Sequence, residues 1–173
     1  MLQGKLMIYI IDGHNLISQL PDIDLNMPDD EQRLIELLIL FCQSGKHKVE
    51  VYFDRAPVGQ ARTSNHGRVL AHFVPERSSA DDAIRKRLRI SGKSARTWVV
   101  VSSDREVQAS AREVHAQVIS SGDFTRLLKS RLSGARQYLP DGVNPTPDAP
   151  LSEAEVREWE AIFKGKRKPD SPK

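Results

Sequence analysis

Cysteine is nearly absent from this chain of 173 residues, which contains Cys42 alone. One thiol cannot form a disulfide within the chain or a zinc site built from several cysteines. Because Cys42 lies in an apolar run with helical spacing, we expect it to fill part of the core. The chemistry of the protein must therefore rest on other side chains.

Long apolar runs are also missing, since no stretch approaches the roughly 20 apolar residues that a membrane-spanning helix needs. The amino terminus lacks the charged, apolar and small-residue order of a signal peptide, so we expect a cytoplasmic protein. Aromatic residues make up 6% of the chain, which leaves few rings for stacking on bases. The net charge of +3 permits a polyanionic partner without requiring one.

Two common phosphate-binding patterns are absent as well. The chain has neither a G-x-G-x-x-G sequence nor a phosphate loop, and its first predicted strand lacks the paired D-x-D of aspartyl-phosphate phosphatases. A small-molecule phosphatase or a nucleotide-binding domain is therefore the least favoured function.

Apolar strand-like runs alternate with helical patterns along most of the chain. The predicted strands cover residues 7–11, 49–53, 69–74, 97–101 and 116–119. Helices are expected after Pro28-Asp29-Asp30 and up to Gly45, over about residues 80–90 and 105–114, and from Asp123 onward. A polar, basic loop should separate the second and third strands. This alternation predicts a three-layer α/β fold around a mostly parallel sheet.

The end of the chain has a different composition. Residues 140–150 contain four prolines and predict a linker, so that residues 1–139 would form a single domain. Residues 151–164 begin with a serine cap followed three residues later by glutamate, which predicts a C-terminal helix. We expect residues 165–173 to form a basic, disordered tail.

Four aspartates, Asp12, Asp54, Asp81 and Asp104, are predicted at one edge of the sheet. Asp12, Asp54 and Asp104 stand at or just after the ends of predicted strands, and ligands of parallel sheets bind at that edge. Asp81 and Asp82 lie in the first turn of a predicted helix, where the helix dipole favours negative charge. At about 100° per residue, Asp81 lies near the buried face and Asp82 points more toward solvent.

Ionised carboxylates that converge repel one another unless a cation lies between them. An all-oxygen set suits Mg²⁺ or Mn²⁺ rather than zinc. Such a site supports metal-assisted hydrolysis of a phosphodiester. The alternative interpretation is conformational, because aspartate is common at strand ends and in turns.

Five short motifs resemble, in their order, those of the NYN domain and specifically its YacP-like branch. They are Ile11-Asp12-Gly13-His14-Asn15-Leu16, Val51-Tyr52-Phe53-Asp54, Thr63-Ser64-Asn65-His66-Gly67-Arg68, Ser79-Ala80-Asp81-Asp82 and Val101-Ser102-Ser103-Asp104. The segment around Leu151-Ser152-Glu153 and Trp159 is similar too, so the resemblance covers most of the chain. It departs at His14, where many relatives have tyrosine, and at Asp82, which is commonly glutamate.

The resemblance implies a PIN-like fold and a ribonuclease that depends on Mg²⁺ or Mn²⁺. The residues implied to be catalytic are Asp12, Asp81 and Asp104, which would hold the metal together with Asp123. The residues implied to support them are Asn15, Asp54, Asp82 and Ser103. One branch of the family cleaves messenger RNA associated with the ribosome, so RNA, mRNA and the ribosome are the implied partners.

Basic residues predict where RNA would lie. The segment 55–68 contains three arginines and no acid, and it should lie beside the metal edge. The residues expected to contact RNA are Arg55, Arg62, His66, Arg68 and, on the following helix, Arg85. The rival function is a catalytically silent RNA- or ribosome-binding module, which would keep these residues without a complete metal site.

Overall fold

The computed structural model describes residues 6–56, 59 and 61–136, whose strands form one sheet. The strands are β1 Ile8–Asp12, β2 Lys48–Phe53, β3 Thr63–His66, β4 Val69–Phe73, β5 Trp98–Val101 and β6 Gln117–Ile119. Their order is β3-β4-β2-β1-β5-β6, and neighbours are parallel except at β3, which is antiparallel to β4. The predicted mostly parallel α/β architecture is confirmed.

Helices cover both faces of this sheet. They are α1 Gly13–Ile17, α2 Asp30–Gly45, α3 Ala80–Ser91, α4 Arg105–Glu113 and α5 Ser121–Arg136, with a 3-10 helix at Gly92–Thr97. On one face α2 packs against α1 and α5, and on the other α3 packs against α4. The result is the three-layer arrangement that the alternation predicts.

Successive residues of β1 are buried against opposite layers. Tyr9 packs edge-on against Phe41 of α2, with ring centroids 5.2 Å apart, and lies 5.6 Å from Phe124 of α5. Ile10 joins the other core cluster, which includes Ile84 of α3. Burial on both faces explains why β1 is an almost continuous apolar run.

The register aligns the ends of the central strands. Ile11 pairs with Val51 on one side and with Val101 on the other. The chain after each strand therefore emerges at one side of the sheet, which we call the carboxyl edge. The opposite side, where parallel strands begin, is the amino edge.

The structure differs from the expectation in the segment before β4. Residues predicted as a continuous loop contain β3, a polar edge strand that pairs with β4 through a tight turn at Gly67. Gly67 has a φ of 76°, which favours glycine, and its N–H donates to Asn65 Oδ1 at 3.0 Å. Strand propensity alone missed β3 because Thr63–His66 has no buried face of its own.

Arg87 belongs to the basic helix α3, but its side chain contacts the core of the domain. Its guanidinium donates to both carboxylate oxygens of Glu50, at 2.8 and 2.9 Å, and lies 4.8 Å from the centre of the Trp98 ring. Burial opposes ionisation of Glu50, but hydrogen bonds from Arg87 and Tyr52, with His72 nearby at 3.8 Å, lower its pKa to about 2. Arg87 is thus a structural residue. Cys42 is buried, as expected.

The predicted linker, C-terminal helix and basic tail, residues 140–173, lie outside the described residues. The chain divides into two units, Met1–Tyr138 and Leu139–Lys173. In the part of the chain that the structure describes, no helix has the length and apolar character to cross a bilayer.

Candidate metal-binding active site

Asp12 ends β1 and caps the short helix that follows it. Its backbone is extended, its side chain is 5% exposed, and Oδ1 accepts a hydrogen bond from the Asn15 N–H at 3.4 Å. Gly13 follows because the chain passes against β2 there. A Cβ atom on Gly13 would lie 2.5 Å from the Phe53 ring and 2.9 Å from the Tyr52 carbonyl oxygen. The Asp-Gly pair therefore places a buried carboxylate at the carboxyl edge.

Asp81 reaches this carboxylate from the first turn of α3. Ser79 caps that helix by accepting from the Asp82 N–H, and the helical phase then turns Asp81 toward the sheet. The Asp12 and Asp81 carboxyl groups share a hydrogen bond. Burial, this hydrogen bond and the charge of Asp81 raise the pKa of Asp12 to about 7. Ionisation of both carboxyl groups together is therefore unfavourable.

Two further carboxylates act on this pair electrostatically. Burial raises the pKa of Asp81, and the negative charges of Asp104 and Asp54 raise it further. Asp104 caps α4, where its Oδ1 accepts from the N–H groups of Glu106 and Val107 at 2.9 and 3.0 Å. The carboxyl edge thus gathers negative charge from four aspartates.

These carboxylates are not yet arranged as a metal ligand set. Within residues 6–56, 59 and 61–136, no three or more His, Cys, Asp or Glu side chains form a group that could hold an ion as they stand. Asp12 and Asp81 are in direct contact, whereas one oxygen of Asp104 is occupied by its capping hydrogen bonds. A cation bound by all three would require side-chain adjustment.

Asn15 ties three chain segments together beneath the site. Its Oδ1 accepts from the Ser103 N–H at 2.9 Å and from the Ser121 hydroxyl at 2.6 Å. Ser103 Oγ in turn accepts from the Ser121 N–H at 3.1 Å. The loops after β1, β5 and β6 are thereby held in one position. No sequence motif indicated a role for Ser121, which lies in a serine-rich segment.

Replacing Asn15 by alanine is expected to lower the free energy of unfolding by about 1–3 kcal/mol, because the fully buried Ser121 hydroxyl loses its acceptor. Chemical denaturation measures this loss. Asn26→Ala is the matched control, since the Asn26 side chain bonds only with exposed Asp24 among the described residues. Equal losses in the two variants would contradict the assigned bridging role.

His14 makes two contacts that the sequence alone did not predict. Its Nδ1 accepts from the Asp54 N–H at 3.3 Å, and its Nε2 lies 3.3 Å from Glu31 Oε1. Asp54 in turn accepts a hydrogen bond from the Ala80 N–H at the start of α3. His14 therefore fixes the loop that holds the helix carrying Asp81. Glu31 is distant in sequence from every motif, so only the fold identifies it.

Two acids predicted for the site lie on its exposed periphery. Asp82 is ion-paired with Arg85, which also contacts Glu106 at 3.2 Å. Asp123 accepts from the Ser120 hydroxyl at 2.8 Å and pairs with Arg126. The hydrogen bonds from Arg85 and Ser79 lower the pKa of Asp82, and those from Ser120 and Arg126 lower that of Asp123. The structure does not bring either carboxylate into contact with Asp12.

The predicted RNA-binding segment is divided between two edges of the sheet. Arg55 follows β2, and the Arg62 carbonyl accepts from the N–H of Phe73 at the end of β4, so both lie at the carboxyl edge. His66 and Arg68 flank the β3-β4 turn at the amino edge. The expectation that the whole segment lies beside the metal edge is therefore wrong for His66 and Arg68. β3 runs antiparallel to β4 and takes the chain from the carboxyl edge to the amino edge.

The sequence profile of the YacP-like NYN domain matches residues 9–164. The chain belongs to the YacP-like NYN family. Membership assigns it to a nuclease family with an RNA-related function. The matched span includes Asp12, Asn15, Asp81 and Asp104.

Solved structures show the same fold. The chain is similar to the crystal structure of Rae1 (YacP) from Bacillus subtilis, with a TM-score of 0.63, 22% identity, and coverage of 75% of this chain and 78% of that chain. For a tryptophan-to-leucine mutant of that protein, the TM-score is 0.62 at 20% identity, covering 91% of this chain and 92% of that chain. A comparison with curated proteins gives no match.

Proposed function

We propose that the protein is a divalent-metal-dependent endoribonuclease. The observation that supports this most directly is the contact between the Asp12 and Asp81 carboxyl groups at the carboxyl edge, within the electrostatic reach of Asp104. Two acids in hydrogen-bonding contact destabilise each other when both are ionised. A cation is the species that would let both remain ionised at neutral pH.

The donor set suits Mg²⁺ or Mn²⁺. The three carboxylates offer oxygen ligands without thiol or imidazole, which is the preference of hard cations. A cation held by Asp12, Asp81 and Asp104 would supply positive charge to phosphate oxygens and acidify a water molecule. Asp123 would have to leave its pairing with Arg126 to join them, so we assign it a secondary role.

The remaining residues position the carboxylates at this edge or offer cations to the phosphates of a phosphodiester. Asn15 and Ser103 hold the loops of Asp12 and Asp104 together. Asp54, steadied by His14, holds the start of α3 and adds negative charge. Arg55 and Arg62 are exposed at the same edge and are the cations best placed for substrate phosphates. Messenger RNA, including ribosome-associated mRNA, is the proposed substrate.

Comparison of two neighbouring variants tests the assignment. Asp81→Asn should lower kcat/KM for RNA cleavage by about 100-fold or more, since loss even of an outer partner of a metal ligand costs about 10–100-fold. Asp82→Asn should change it little, because Asp82 is exposed and paired with Arg85. Single-turnover cleavage with both proteins shown to be folded gives the comparison. Equal losses would reject the proposed role of Asp81.

A second candidate is a catalytically silent RNA- or ribosome-binding module. The lack of a ready group of three ligands among the described residues favours it. It predicts RNA binding that is independent of Mg²⁺ and Mn²⁺, with no cleavage under any metal condition. Mn²⁺ titration by calorimetry separates the two candidates, because the nuclease should bind the ion and Asp81→Asn should weaken that binding.

A further inference from the structure

The two edges of the sheet carry opposite charge. The carboxyl edge gathers Asp12, Asp54, Asp81 and Asp104. The amino edge presents exposed cations from five separate elements and connections. They are Lys46, Lys48, Arg68, Lys93, Arg96 and Arg131, which we call the amino-edge basic face.

The topology brings the members of this face together. Lys48 and Arg68 precede the register pair Val49 and Val69 on adjacent strands, and the Val49 N–H donates to the Arg68 carbonyl at 2.9 Å. Lys46 caps the carboxyl end of α2, two residues before β2 begins. Lys93 and Arg96 belong to the 3-10 helix that leads into β5.

Arg131 reaches the same edge from α5. Burial lowers the pKa of His47, and the positive charges of Arg131 and Arg68 lower it further, so both arginines act on this side chain. His47 lies between Lys46 and Lys48 at the start of β2. The beginning of β2 thus has Arg68 and Arg131 near it as well as its own Lys46 and Lys48.

Within the part of the chain that the structure describes, these cations have no carboxylate partner. Arginine there forms ion pairs only at Arg33, Arg85, Arg87 and Arg126, none of which belongs to the face. At this end of the molecule, Arg87 already binds Glu50 on both oxygens. Among the described residues, the six charges are thus not neutralised by an ion pair.

We propose that the amino-edge basic face binds a segment of the substrate RNA outside the scissile position. The inference rests on the proposed function. Carboxylates at the cleavage edge repel phosphates, whereas most nonspecific affinity for nucleic acid comes from lysine and arginine contacts. The edges are separated by the length of β2, about 20 Å for six residues at ~3.3 Å each. One RNA strand that spans this distance can contact both.

Binding measured on the Asp12→Asn protein isolates this contact from cleavage. The triple variant Lys48→Gln, Arg68→Gln, Arg96→Gln should reduce the salt slope of single-stranded RNA binding by about 2, at ~0.7 per lost contact. Its affinity at about 50 mM salt should fall on the order of 10²-fold, which follows from the same slope. In this variant, the affinity for RNA should also no longer increase with the length of the RNA.

The control removes the same net charge elsewhere. Arg33→Gln, Lys86→Gln, Lys129→Gln alters α2, α3 and α5 and should leave the salt slope close to that of the parent. If the triple variant folds poorly, Lys46→Gln with Lys93→Gln on the exposed connections should still lower the slope by about 1.4. An unchanged slope in both basic-face variants, or an equal loss in the control, would overturn the proposal. Absence of cleavage by wild type with these binding results intact would overturn the proposed function alone.

Discussion

Replacing Asp12 by asparagine is expected to lower RNA cleavage by more than about 100-fold while RNA binding persists. Asp12 is the most buried of the four aspartates at the carboxyl edge and contacts Asp81 directly. Removal of a charge from the centre of a metal ligand set should cost at least what loss of an outer partner costs, about 10–100-fold. The cations that would attract RNA, including Arg55 and Arg62, are unchanged by this substitution.

Single-turnover cleavage at saturating RNA measures the loss, and filter binding measures retained affinity. Glu36→Gln is a suitable charge-matched control because Glu36 lies on α2 and contacts exposed Gln32. Asp12→Asn should retain the native fold, since asparagine can still accept from the Asn15 N–H. Retention of wild-type cleavage in Asp12→Asn would remove the central residue from the proposed mechanism.

The second large effect is expected in the pH dependence of stability without metal. The pKa of Asp12 is raised from 3.8 to about 7 in the folded protein, so between these values the folded state binds more protons than the unfolded state. The free energy of unfolding should therefore fall as pH rises through this window. Asp12→Asn should lose this part of the slope and be more stable than wild type at pH 7–8.

Mg²⁺ or Mn²⁺ should reverse the trend in wild type. A bound cation compensates the ionised carboxylates, whereas the proton on Asp12 competes with it at low pH. The rise in Tm on addition of metal should hence be larger at pH 8 than at pH 5, and small in Asp12→Asn. Thermal unfolding at the two pH values tests this. A metal effect independent of pH, or one equal in Asp12→Asn, contradicts the assigned site.

The fold could be predicted from the sequence because its main elements have long apolar patterns. β1 and β5 are apolar because both their faces are covered, and α2 and α3 have clear starts and stops. The polar strand β3 and the five-residue helix α1 were missed. Pairing with β4 and packing on β2 determine these two elements, and neither interaction leaves a periodic signal within so few residues.

The site was readable only in part for the same physical reason. Strand ends and helix phase predict the approach of Asp12 and Asp81, because both depend on local geometry. The roles of Ser121 and Glu31 depend on tertiary contacts with Asn15 and His14.

The most direct test of the proposed function incubates the purified 173-residue chain with end-labelled single-stranded RNA. The reactions contain EDTA, Mg²⁺ or Mn²⁺, with Asp12→Asn run in parallel. We predict internal fragments with at least one of the two metals, none with EDTA, and strongly reduced cleavage by Asp12→Asn. Intact RNA in every reaction, despite demonstrated RNA binding, or equal cleavage in EDTA, would contradict a metal-dependent endoribonuclease.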